Sequence, residues 1–67
     1  MKVEFADSDG EVIFKTQTND VSGLLAAAKG EAIMFGTKRF TYTSHVLNHY
    51  ELLEIGMEQQ LTIYMKR

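Results

Sequence analysis

At 67 residues, 45% hydrophobic and 24% charged, the chain has the balance of one small globular domain rather than of a disordered segment. It stands near the lower size at which an apolar core suffices, and with no cysteine it can use neither a disulfide nor a thiolate metal site as a staple. Seven Lys and Arg against nine Asp and Glu give a net charge of -2, which excludes both a general pull toward nucleic acid and polyanionic mimicry of DNA.

Residues 2–6 and 11–18 are rich in Val, Ile, Phe and Thr and read as two strands joined at Asp7-Ser8-Asp9-Gly10. Asp first and Gly fourth suit a type I turn whose glycine is left-handed and forms a bulge. That register sets Phe5 opposite Ile13, and a two-residue turn at Ser8-Asp9 sets it opposite Val12. Val12 and Phe14 on one side and Ile13 on the other predict a second strand buried on both faces. A helix is predicted over residues 20–29, since Val21, Leu24, Leu25 and Ala28 recur at helical spacing and three alanines favour the state. Asn19, Asp20 or Ser22 can cap it. Gly23, costing up to about 1 kcal/mol in a helix, moves the expected start toward Ser22, and Gly30 is expected as a left-handed carboxy-terminal cap.

The stretch EAIMFGTKRFTYT, residues 31–43, reads as a hairpin. A two-residue type II′ turn at Gly36-Thr37 places Ile33 opposite Phe40, and a four-residue turn places Phe35 there; either leaves Ile33, Phe35, Phe40 and Tyr42 on one face. Residues 44–56 admit a helix capped by Ser44. The extended reading is preferred, because FTYT is strand-like and nothing breaks it before Asn48; Val46 then continues the face of Phe40 and Tyr42, and the rest is a wide connection carrying Tyr50, Leu52, Leu53 and Ile55 into the core. Leu61, Ile63 and Met65 alternate with Thr62, Tyr64 and Lys66 in a last strand over residues 60–66. The expected fold is α+β and mostly β, with five short, mainly antiparallel strands in a bent sheet or small, partly open barrel, and one helix between strands two and three.

The run GEAIMFGTKRFTYTSHVLNHYELLEIG followed by QQLTIYMKR resembles small SH3-like β-barrel proteins of phages and prophages of Gram-positive bacteria. The resemblance is one of turns and strands over a little more than half the chain, and it carries over no functional residue. No membrane-spanning helix is expected, since the longest apolar run, LLAAA at 24–28, falls far short of about twenty residues. The acidic residues of MKVEFADSDG argue against a signal peptide, so a cytoplasmic protein is expected, in the host cytoplasm if phage-encoded.

No constellation for catalysis stands out, and no cofactor is expected. His45 and His49 are four apart, a ligand spacing on a helix; on a strand their Cα atoms lie about 13 Å apart, too far for one ion. Asp7-Ser8-Asp9-Gly10 lacks the sixth-position glycine and closing glutamate of a calcium loop. Glu51, Glu54 and Glu58 read as a solvated face. The expected function is a non-enzymatic protein-binding or assembly module with an unknown protein partner, using sheet edges and Met34, Tyr50, Met57 and Tyr64 as contacts, with homo-oligomer formation supplementing the small core. The alternative is single-stranded nucleic-acid binding through Lys38, Arg39, Tyr42 and Lys66.

Overall fold

The computed structural model describes residues 1–52 and 56–67, and the side chains of these apart from Tyr50, Glu51, Leu52 and Met57. The chain runs through β1 (Lys2–Ala6), β2 (Val12–Gln17), α1 (Val21–Gly30), β3 (Ile33–Phe35), β4 (Lys38–Leu52) and β5 (Gly56–Lys66). These strands form one sheet in the order β2-β1-β5-β4-β3, antiparallel throughout except for the parallel central pair β1 and β5. The sheet curls until it nearly closes into a barrel: the rings of Phe14 on β2 and Phe35 on β3, its two outermost strands, come within 5.7 Å.

The core lies over the central pair. Val3, Phe5, Phe40, Leu61, Ile63 and Met65 are buried together, and Val21, Leu24 and Leu25 of α1 pack against them from the concave side. The predicted alternation of Leu61, Ile63 and Met65 is therefore the floor of the molecule, and the 31–43 hairpin supplies a side wall. A fully buried residue such as Ile63 contributes about 1.5–3 kcal/mol by leaving water. The helix starts at Val21, one residue before the expected Ser22, because Asp20 caps it: Gly23 N–H donates to Asp20 Oδ1 at 3.0 Å. Gly30 is the last helical residue and not a left-handed cap; the cap position is Glu31, in extended conformation, whose N–H reaches the Ala27 carbonyl at 3.1 Å.

The first turn forms as expected, with Gly10 at φ 85° and its N–H donating to the Asp7 carbonyl at 3.0 Å. The register beyond it differs. Ala6 faces Val12, but a bulge follows and Phe5 faces Phe14, neither Ile13 nor Val12. The extra residue lets Ile13 and Phe14 both approach the core, an outcome strict alternation does not anticipate. Nor is β2 buried on both faces: as an outermost strand it leaves Val12 42% and Phe14 49% exposed.

At the second hairpin Gly36 takes φ 64° and the two-residue turn pairs Ile33 with Phe40, leaving Ile33, Phe35, Phe40 and Tyr42 on the core side. Residues 44–52 are extended, as preferred, but as a continuation of β4 paired with β5 as far as Leu52 and Gly56 rather than as a wide connection, and β5 begins at Gly56 rather than at residue 60; residues 53–55 lie outside the described residues. Val46, however, does not continue the face of Phe40 and Tyr42. A bulge at Thr43, between the pairs Tyr42–Met65 and Ser44–Tyr64, reverses the alternation, so His45, Leu47 and His49 take over the core-side face opposite Ile63, Leu61 and Gln59. The Tyr42 hydroxyl hydrogen-bonds His45 Nδ1 at 2.6 Å, a contact between residues three apart that an unbroken strand would point to opposite sides.

Candidate binding cleft

Where β2 and β3 approach without pairing, the barrel wall has a seam. Behind it lies a cleft of about 660 Å³ lined by Phe5, Ile13, Phe14, Ile33, Met34 and Phe35 from the strands and by Leu24, Ala27 and Ala28 from α1. That volume is within the range of about 300–1,000 Å³ typical of ligand-binding clefts. The aromatic rings form a chain across it, with Phe35 5.4 Å from Phe5, 5.7 Å from Phe14 and 5.6 Å from Phe40. Phe14 at 49% and Met34 at 57% exposure stand at its lips, two large apolar side chains left in water beside a cleft of the same character.

The seam continues to a second, wider cavity of about 950 Å³ that shares Ile13, Phe35 and Gly36 with the first. Its rim is charged and nearly balanced. Asp7, Asp9 and Glu11 come from the first turn, and Lys38, Lys66 and Arg67 from the second turn and the end of β5. Asp7 is engaged, its Oδ1 accepting N–H bonds from Asp9 and Glu11 at 2.9 Å each. Among the described residues the ion pairs are Lys2–Glu58 at 3.0 Å and Lys15–Glu4 at 3.8 Å, neither of which involves this rim.

Of the residues singled out as protein contacts, Met34 stands at the apolar cleft. Tyr64 is half-buried on the convex face, opposite Ala6 and Ser44. Tyr50 and Met57 belong to the far end of the β4–β5 hairpin, where they pair with Glu58 and Glu51; their side chains lie outside the described residues. Of the cationic set, Lys38 and Lys66 share the charged rim, while Arg39 faces the other way beside its partner Met34. Tyr42 is on the core side with the Lys29 ammonium 5.8 Å from its ring centre. His45 and His49 stand four residues apart on an extended strand, which separates them as the strand geometry requires, and no group of three or more metal-ligating residues occurs among the described residues. Glu58 pairs with Lys2, and Glu54 lies outside the described residues.

Phe14 was not among the expected contact residues. Its alternation with Val12 suggested burial, and the signal for an outermost strand was the polar second half, Lys15-Thr16-Gln17. Comparison with protein-family models, curated proteins and solved structures finds no match.

Proposed function

We infer that the protein is a small non-enzymatic binding or assembly module that takes an extended segment of another protein along the seam between β2 and β3. The observation that carries this reading is the pairing of an apolar cleft with two strand edges. An added strand gains main-chain hydrogen bonds from an edge and selectivity from a pocket that receives every second side chain. Phe14 and Met34 supply aromatic and thioether surface of the kind enriched at interfaces. A phage or prophage origin, implied by the resemblance of the run beginning at Gly30, fits a small accessory module, and the neighbouring genes test it.

Selection of displayed peptides on the immobilised protein tests the binding reading. Extended sequences with apolar residues at i and i+2 are expected, with affinity reduced about tenfold or more by Phe14→Glu and by Met34→Glu. Circular dichroism controls for folding. Peptides that bind both variants as well as the parent protein would overturn the reading.

Nucleic-acid binding draws its support from Lys38, Lys66 and Arg67 on one rim. It requires single-strand binding that falls steeply with salt and is lost in Lys38→Glu. The acidic residues on the same rim favour the protein-binding reading.

A further inference from the structure

β3 pairs with β4 only at Lys38, Arg39 and Phe40. Beyond them β4 continues to Leu52 with β5 on one side and, among the described residues, no hydrogen-bonded strand on the other. Strand edges of this length are ordinarily guarded by Lys, Pro, inward-pointing charges or bulges, since an unguarded edge templates further pairing. Here TYTSHVLNHY, residues 41–50, contains no Asp, Glu, Lys, Arg, Pro or Gly. Among the described residues the guards stand near the beginning of the stretch: the bulge at Thr43, and α1 with Lys29 over the Tyr42 ring at 5.8 Å.

We propose that the free edge of β4 pairs antiparallel with the same edge of a second copy of this chain, across a two-fold axis at Leu47. The bulge at Thr43 bounds the regular, uncharged stretch on one side and Glu51 bounds it on the other, and Leu47 is the centre of the seven residues between them. Pairing those residues with themselves sets Leu47 opposite the partner's Leu47, Val46 opposite the partner's Asn48 and His45 opposite the partner's His49. Val46 at 45% and Leu47 at 46% exposure lie on opposite faces of the strand, and an added strand covers both from the side. A second copy is the favoured occupant because an edge without fixed charge offers no complementarity to a charged partner and no repulsion to its own copy. Seven paired residues span only about 24 Å. Such a seam is smaller than the roughly 1,200 Å² of a standard stable interface, so the dimer is weak and concentration-dependent.

Sedimentation equilibrium from about 10 μM to about 1 mM, the range appropriate to so small an interface, is expected to show the mass rising toward that of a dimer. Leu47→Lys, which places two like charges on the axis, should weaken association about tenfold without altering the circular dichroism spectrum. The chain has no cysteine of its own, so Leu47→Cys gives a clean second readout. It should form an intermolecular disulfide on mild oxidation faster than Lys15→Cys on the edge of β2. Monomer mass throughout the range, association unchanged by Leu47→Lys, or equal trapping at the two cysteine positions would each overturn the proposal. Loss of association in Phe14→Glu with none in Leu47→Lys would move the dimer to the β2–β3 seam and overturn it equally.

Discussion

Gly23 is a poor helix former in the first turn of a short helix, and its presence has a local cause. A Cβ there would collide with the Asp20 carboxylate that caps α1 through the Gly23 N–H. Gly23→Ala is therefore expected to leave stability nearly unchanged: alanine is worth about 1 kcal/mol more than glycine in an unobstructed helix, but it displaces the Asp20 carboxylate and loses a cap of similar worth. Asp20→Ala should cost about 1 kcal/mol through loss of the cap. The double variant should be less than additive, because without the carboxylate the alanine meets no obstacle. Thermal melts of the three variants check this, at roughly 4–8 °C per kcal/mol for a domain of this size. At this scale the sequence was readable where chemistry is local: Asp20 was among the expected caps, and Gly10 and Gly36 were placed in their turns. Gly30 misled because a glycine after a helical run suggests a left-handed stop, and the chain instead leaves the helix in extended conformation.

The elements themselves were legible, and the register between them was legible only up to the first bulge. Alternation carries a facing assignment along a strand until one extra residue reverses it, and nothing in Val12-Ile13-Phe14 or Tyr42-Thr43-Ser44 marks the extra residue in advance. The bulge at Thr43 lets Phe40 and Tyr42 meet the core while the distal part of β4 presents His45 and Leu47 on the same side. Deleting Thr43 removes the extra residue and leaves a regular strand, with Tyr42 still opposite Met65 and Ser44 still opposite Tyr64. His45 then stands two residues after Tyr42 and stays on the core side opposite Ile63, so the cost should be small, within about 1 kcal/mol. Cross-strand NOEs would show it: contacts between His45 and Ile63 and those between Tyr42 and Met65 should both persist, and loss of the former would contradict the bulge. The cleft was not legible, because it is made by the approach of two strands separated in sequence by the whole of α1.

Protection of the whole molecule is concentrated in its middle. Val3, Phe5, Leu61, Ile63 and Met65 are almost fully buried on the two central strands, whereas His45, Val46, Leu47 and His49 are exposed on β4, which there has, among the described residues, a strand on one side only. Native-state hydrogen exchange should therefore find the amides of Val3, Phe5 and Ile63 opening only with global unfolding and those of His49 and Tyr50 opening at much lower free energy. Equal protection in the two groups at low concentration would contradict this arrangement. Ile63→Ala is expected to cost about 2–5 kcal/mol, a large share of the stability available to so small a domain. Lys2→Ala should cost at most about 1 kcal/mol, since its pairing with Glu58 is solvent-exposed.

The parallel pairing of β1 with β5 also bears on how the chain reaches this state. Val3 and Leu61, and likewise Phe5 and Ile63, are neighbours in the sheet although they stand near opposite ends of the sequence. Each hairpin can form from local contacts, but the central buried pair requires closing a loop that spans almost all the residues, an entropic cost met before most of the core exists. Folding should thus be slower than for a helical domain of similar length. On the ribosome, the first hairpin must wait for the last strand to emerge before it finds its neighbour.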